Sequence, residues 1–191
     1  MNLISGRRAT RLLAAALLSA TAALSAPALA HPVSAAPAAH AAAVHFAAPT
    51  IHRHEEIERA KAWLTADHGR PVPYTQDRDW NDGYRQDCSG YASMTLGLPK
   101  PGPNTVALKN EGWTRPIGMS ELNQGDLIIK ADSDSSKVRH VVIFDHWVNA
   151  GRTEYWAYEQ AGGVGTRYTT HDYGLREGDG YHAAHPRNLA D

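Results

Sequence analysis

The order of patterns along the chain constrains its fold more than any single residue. Helical signals come first, and from Gly125 onward the sequence turns into short β-rich runs. Residues 52–67 read as a helix. Glu55 and Arg59 stand four apart, Ile57, Ala60 and Leu64 mark one face with Trp63 beside it, and Gly69 and Pro71 stop it. A second helix begins at Cys88 behind Asp87, a good N-cap, with Tyr91, Ala92 and Leu96 at helical spacing and Gly97 at its end. Residues 72–75 read as a short extended piece, 76–86 as a polar loop, and 99–116, rich in proline, as irregular. Strands follow over 127–130, 138–148 and 154–160, with further extended runs around 167–170 and 181–185. Asn149-Ala150-Gly151-Arg152 is a turn signal, so the second and third strands should form an antiparallel hairpin. Helices followed by a run of strands predict an α+β fold with helices packed on an antiparallel sheet.

Only part of the chain belongs to that fold. Residues 1–30 have the form of a secretory signal peptide: Arg7, Arg8 and Arg11, an apolar run over 12–24, then Ala28-Leu29-Ala30 as a small-residue cleavage site. Residues 31–50, mostly Ala with Pro, Ser and His, lack apolar periodicity and read as a disordered tether. That leaves 51–191 as one domain with one core. Of the 19 basic residues three lie in the leader, leaving 16 against 20 acidic ones and a net charge of −4. Such a balance argues against nucleic acid as a partner. The mature form is expected to be extracellular or cell-wall associated, off the membrane, and monomeric.

Cys88 is the only cysteine. An exported protein usually pairs its cysteines, so an unpaired one suggests a nucleophile. At the first turn of a helix, free backbone N–H groups and the helix dipole favour a thiolate. Asp87 opposes it, so a nearby imidazole is needed. Of the eleven histidines, His140 stands out because it opens the apolar strand His140-Val141-Val142-Ile143-Phe144. Strand alternation puts His140, Val142 and Phe144 on one side. An even turn centred on Ala150-Gly151 sets Val142 against Glu159 and brings that carboxylate within reach of His140; a three-residue turn brings Gln160 instead. Either would fix the imidazole's tautomer, and Glu159 is the preferred third member.

Four landmarks now stand in order: Val72-Pro73-Tyr74, Asp87-Cys88-Ser89-Gly90-Tyr91, Gly125-Asp126-Leu127-Ile128 and His140-Val141-Val142-Ile143-Phe144. Through them residues 72–160 resemble the NlpC-type (NlpC/p-sixty) cell-wall cysteine peptidases, a papain-like group. The resemblance implies a papain-like core, attack by Cys88, base catalysis by His140, and cleavage of amide bonds in peptidoglycan stem peptides. It further implies that Tyr74 helps hold the oxyanion and that Asp87 and Ser89 engage the substrate's amine and carboxylate. Two departures are visible: Thr75-Gln76-Asp77-Arg78 replaces the Gly-Gly common after the tyrosine, and Glu159-Gln160 stands where relatives often have histidine.

No cofactor or metal is expected. His182 and His185 are spaced three apart but lack an adjacent acid, and residues 132–136 resemble a calcium loop in composition only. Two rival readings keep the same residues: an acyltransferase or deamidase with the same triad, and an inactive wall-binding module.

Overall fold

The computed structural model describes residues 48–133, 135 and 138–191. The leader expected over 1–30, and all but the last three residues of the tether expected over 31–50, lie outside the described residues. Among those residues no helix is long and apolar enough to cross a membrane.

A short strand, β1 (Ile51–His52), leads into α1 (Arg53–Ala62). The helix stops short of the predicted 67 because Leu64 N and Thr65 N bond three residues back, to Lys61 O and Ala62 O. Such tightening ends a helix, and His68 and Gly69 then take positive φ angles of 53° and 84°. Helix α2 (Cys88–Thr95) starts where the sequence predicts, and all eight of its residues are buried. The hydroxyl of Tyr91 donates to Ala60 O at 2.7 Å, tying α2 to α1 in the interior. The irregular segment holds a third helix, α3 (Thr105–Asn110), which sequence reading missed. Asn104 caps it, its side chain accepting from Ala107 N at 2.9 Å, but six residues are too few to show periodicity among flanking prolines.

Seven strands follow: β2 (Thr114–Pro116), β3 (Leu127–Lys130), β4 (His140–Trp147), β5 (Tyr155–Ala161), β6 (Gly165–His171), β7 (His182–Pro186) and β8 (Leu189–Ala190). Six of them form one sheet in the order β2-β7-β3-β4-β5-β6, every pair antiparallel, while β8 pairs with β1 in parallel. The fold is thus α+β with an antiparallel sheet. Alternation along the strands divides the core in two. Leu127, Ile129, Val141, Ile143, Tyr158 and Ala184 cluster with Ile57, Tyr91 and Leu108 from the helices and with Leu96, the residue that ends α2. Ile128, Val142, Phe144, Tyr155, Ala157 and Ala183 form the opposite face, covered by Met119, Tyr173, Leu175 and Tyr181.

The β4–β5 hairpin reaches its register by an unexpected route. Near the turn, Trp147 pairs with Tyr155 and His146 with Trp156, a frame that would carry Gln160 opposite Val142. A β-bulge between Phe144 and His146 takes up one residue, so that Phe144 pairs with Ala157 and Val142 with Glu159. The predicted partner of Val142 is therefore right, but the even turn assumed for it is not. Asp145 is the extra residue. Its side chain, 10% exposed, accepts from Gln124 Nε2 at 2.6 Å, Tyr168 Oη at 2.6 Å and His146 Nδ1 at 2.9 Å. Burial raises its pKa, but those three bonds outweigh burial and hold it below the usual range.

Removing a charged acceptor with three donors leaves them unsatisfied, so Asp145→Ala should destabilise the protein by about 1–3 kcal/mol in urea denaturation. A loss below about 0.5 kcal/mol, the scale of an ordinary surface change, would show that the bulge does not depend on this carboxylate.

Candidate active site

The site begins at the cap of α2. Asp87 Oδ1 accepts from Gly90 N at 2.6 Å and from Ser89 Oγ at 3.0 Å. Arg85 locks the arrangement: its Nε reaches Asp87 Oδ2 and its Nη2 reaches Ser89 Oγ, both at 3.0 Å. The same guanidinium donates to Gly102 O and, at 3.1 Å, to Pro103 O, drawing the loop before α3 over the start of α2. Gly90 is obligatory here, since a Cβ would lie 2.0 Å from Arg85 O. Cys88 follows the cap, 6% exposed, with Thr105 Oγ1 3.8 Å from its sulfur. The N–H groups of a helix's first turn have no acceptor within the helix, which leaves those of Cys88 and Ser89 for a ligand.

His140 is the first residue of β4, at the end of the sheet. Its Nε2 lies 2.6 Å from Glu159 Oε2. Burial disfavours the charged ring, but interaction with the Cys88 thiol and then the bond to Glu159 outweigh it, raising the pKa to about 9. Tyr173 meets the ring edge-on, with centroids 6.1 Å apart.

Glu159 is 1% exposed. A lone carboxylate so placed would cost several kcal/mol. Here Oε1 takes Nε and Nη2 of Arg167 at 2.5 Å and lies 3.0 Å from His171 Nε2, off the line of a hydrogen bond. Burial raises the Glu159 pKa, but His140 and then His171 overcome it and hold the carboxyl well below its usual range.

Gln160 points to the other face of β5. Its Nε2 donates to Val72 O at 3.2 Å and Pro73 O at 3.3 Å, and its Oε1 accepts from Thr166 at 3.2 Å. Gln86 Nε2 adds a bond to Pro73 O at 2.9 Å. These bonds set the segment that carries Tyr74. The hydroxyl of Tyr74 accepts from Gln76 Nε2 at 2.8 Å. Burial, and then negative charge at Cys88 and Asp87, raise its pKa, so it keeps its proton.

The structure therefore brings Cys88, His140 and Glu159 together, with Tyr74 alongside, and turns Gln160 away. Asp87 and Ser89 border Cys88, but their side chains are engaged by the cap and Arg85. Sequence reading missed Arg85, Thr105, Arg167 and His171. Of these Arg167 was only partly within reach: Gly162-Gly163 is a hairpin turn signal, but a two-residue turn there would set Thr166 against Glu159, and it is the three-residue turn over 162–164 that pairs Arg167 with Glu159. His182 and His185 lie on β7, where a spacing of three puts them on opposite faces. His185 bonds Asp126 at 2.8 Å, and no candidate metal cluster occurs among the described residues.

No protein-family model matches the chain, and no curated protein matches it. A Staphylococcus aureus crystal structure, described as similar to a lipoprotein of the NLP/P60 family, superimposes with a TM-score of 0.44 at 18% identity. The match covers 73% of this chain and 42% of that one, a distant likeness.

The two ionisations give stability opposite pH trends. A folded His140 with a pKa of about 9 binds its proton more tightly than the unfolded chain does near about 6.5. Its contribution is whole below the unfolded value and is lost as pH rises through the folded one. The depressed Glu159 contributes above about 4.3, and that part is lost as pH falls. Tm should therefore plateau between these limits and decline on both sides. Glu159→Gln should shrink the alkaline decline without abolishing it, since Cys88 also raises the His140 pKa. Identical alkaline limbs in the two proteins would show that Glu159 does not hold the charge on His140.

Proposed function

We propose that the chain is a secreted cysteine hydrolase of the NlpC/p-sixty type, with a papain-like core, that cleaves amide bonds in peptidoglycan stem peptides through an acyl-enzyme. The observation that carries this reading is the line Cys88–His140–Glu159, with one imidazole between a thiol at a helix start and a buried carboxylate. A ring that stays protonated to about pH 9 stabilises a thiolate beside it through the neutral range, as nucleophilic cysteine chemistry requires. Glu159 keeps the ring oriented and its charge compensated, the role of a third triad member.

The steps follow from these positions. The Cys88 sulfur attacks the amide carbonyl carbon, forming a C–S bond while the carbonyl electron pair moves onto oxygen. The Cys88 backbone N–H and the protonated Tyr74 hydroxyl are the donors for that oxyanion. His140⁺ then gives its proton to the amine nitrogen, the C–N bond breaks, and the amine leaves. Water enters as the second nucleophile, with neutral His140 taking its proton, and expulsion of the thiolate restores the pair. Asp87 and Ser89 act through the helix cap and Arg85, holding Cys88 at the N-terminus of α2. The signal-peptide pattern over residues 1–30 supports export of the enzyme to the side of the membrane where a wall substrate lies.

The test is the rate of Cys88 alkylation by iodoacetamide as a function of pH, in the native protein and in His140→Ala. Labelling should already be fast about two units below the free-thiol pKa of about 8.5 and should lose that advantage in the variant. His140→Ala should also lower kcat on stem-peptide amides by about 10²- to 10⁴-fold. A native rate that rises only with the free-thiol pKa would contradict the proposal.

A further inference from the structure

The segment after β6 lies beyond the residues that carry the four sequence landmarks, yet it delivers a ring to His140. Tyr173 stands two residues past the end of that strand and packs on the sheet face opposite α2. His171 stacks on it with centroids 4.4 Å and planes 23° apart, and Tyr181 stacks on it at 4.3 Å and 4°. Two rings so close on one face would collide with each other, so each covers a face of its own. Only the rim of Tyr173 is left for His140, whose ring stands at 87° to it with centroids 6.1 Å apart. The two imidazoles that approach Glu159, His140 and His171, therefore both meet this one side chain.

The chain fixes Tyr173 by several bonds. Its carbonyl accepts from Tyr155 Oη at 3.0 Å. Asp179 closes the loop, its Oδ2 accepting from Gly174 N at 2.7 Å and its Oδ1 from Tyr181 N at 2.9 Å. Lys130, which pairs with His140 across β3 and β4, donates to Asp179 O at 2.8 Å and lies 5.5 Å from the centre of the Tyr181 ring. The stack is thus tied to the strand pair that carries His140. Burial, and then the charge of Glu159, raise the Tyr173 pKa, so the ring adds no charge to the site.

His140 needs such a neighbour. Glu159 holds its ring at Nε2 only. The terminal torsion of a histidine is broad, so one bond leaves the ring plane free to rock and to swing its other edge away from Cys88. Water admitted beside the ring would also screen the charge pair, because Coulomb attraction falls as the dielectric rises. A rigid rim packed against the imidazole counters both effects.

We propose that Tyr173 is a positioning residue for the cysteine chemistry: clamped on both faces, it fixes the plane of His140 and keeps water from the His140–Cys88 pair. It touches no reacting atom and adds no step, acting only through the imidazole. The inference rests on Cys88 and His140 being the reactive pair of the proposed hydrolase.

Iodoacetamide labelling of Cys88 against pH, on the full chain, tests it with three substitutions. Tyr173→Leu removes the rim. The acid limb of the profile should then move up by about one pH unit toward the free-thiol value of about 8.5, so that labelling at a fixed pH on that limb slows about tenfold. A shift of that size is what partial screening of a charge pair gives. Tyr173→Phe keeps the ring and should recover the native limb. Leu175→Ala removes apolar contact from the same sheet face and should leave the limb in place. A native limb in Tyr173→Leu, an unrecovered limb in Tyr173→Phe, or an equal shift in Leu175→Ala would each overturn the inference. If Tyr173→Leu does not fold, the native protein decides: NMR should show a nuclear Overhauser contact between the Tyr173 ring protons and a His140 ring proton, and its absence would also overturn the inference. A native protein whose Cys88 shows no activated labelling by iodoacetamide would instead fail the hydrolase reading itself.

Discussion

The pairing of Val142 with Glu159 is the constraint on which the site depends, and one extra residue sets it. Without the bulge at Asp145, the frame established at the Trp147–Tyr155 end of the hairpin would turn Glu159 away from His140 and bring Gln160 round. Because side chains alternate, a slip of one residue exchanges the two faces of a strand completely. Here such a slip would put a neutral amide beside the imidazole and an uncompensated carboxylate against Val72 and Pro73. Bulges are known to re-aim side chains near functional sites, and the three donors on Asp145 hold this one in place.

The charges of the site form a connected set. Glu159 owes its depressed pKa to His140 and His171, pairs with Arg167, and supports in turn the positive charge on His140. Breaking such a buried pair from one side leaves a charge without compensation, which costs more than the pair contributes intact. The start of α2 follows the same logic, with Arg85 neutralising Asp87 while pinning the carbonyls of Gly102 and Pro103. The helix carrying Cys88, the strand carrying His140 and the segment carrying Tyr74 are thus each fixed by bonds of their own. Gln160 belongs to this support: it sits on the helix side of β5 and holds the backbone ahead of Tyr74.

Much of this was legible in residue order. Asp87 as cap, Cys88 as the first residue of a helix and the β3 limits follow from local propensity and period, whereas the pairing of Val142 with Glu159 was reached through an even turn that the hairpin does not have. The rest depends on tertiary bonds that leave no local trace. Helix α3 is hidden because proline spacing dominates its flanks, yet Thr105 at its start meets the Cys88 sulfur. The bulge could not be read because the chemistry that holds it comes from Gln124 and Tyr168, far away in sequence. The polar stretch before Cys88 gave no sign that Arg85 would organise two loops. His171 reaches Glu159 through the shape of the sheet rather than by its place in a pattern.

The central claim is that His140 is held as a cation between Cys88 and Glu159. ¹⁵N NMR of the imidazole rings, followed against pH in protein labelled at its eleven histidines, tests it most directly. One ring should remain doubly protonated until about pH 9, and that signal should vanish in His140→Ala. If every ring instead titrates near the ordinary value of about 6.5, the charge pair does not exist, and the account of Cys88 as an activated nucleophile is wrong.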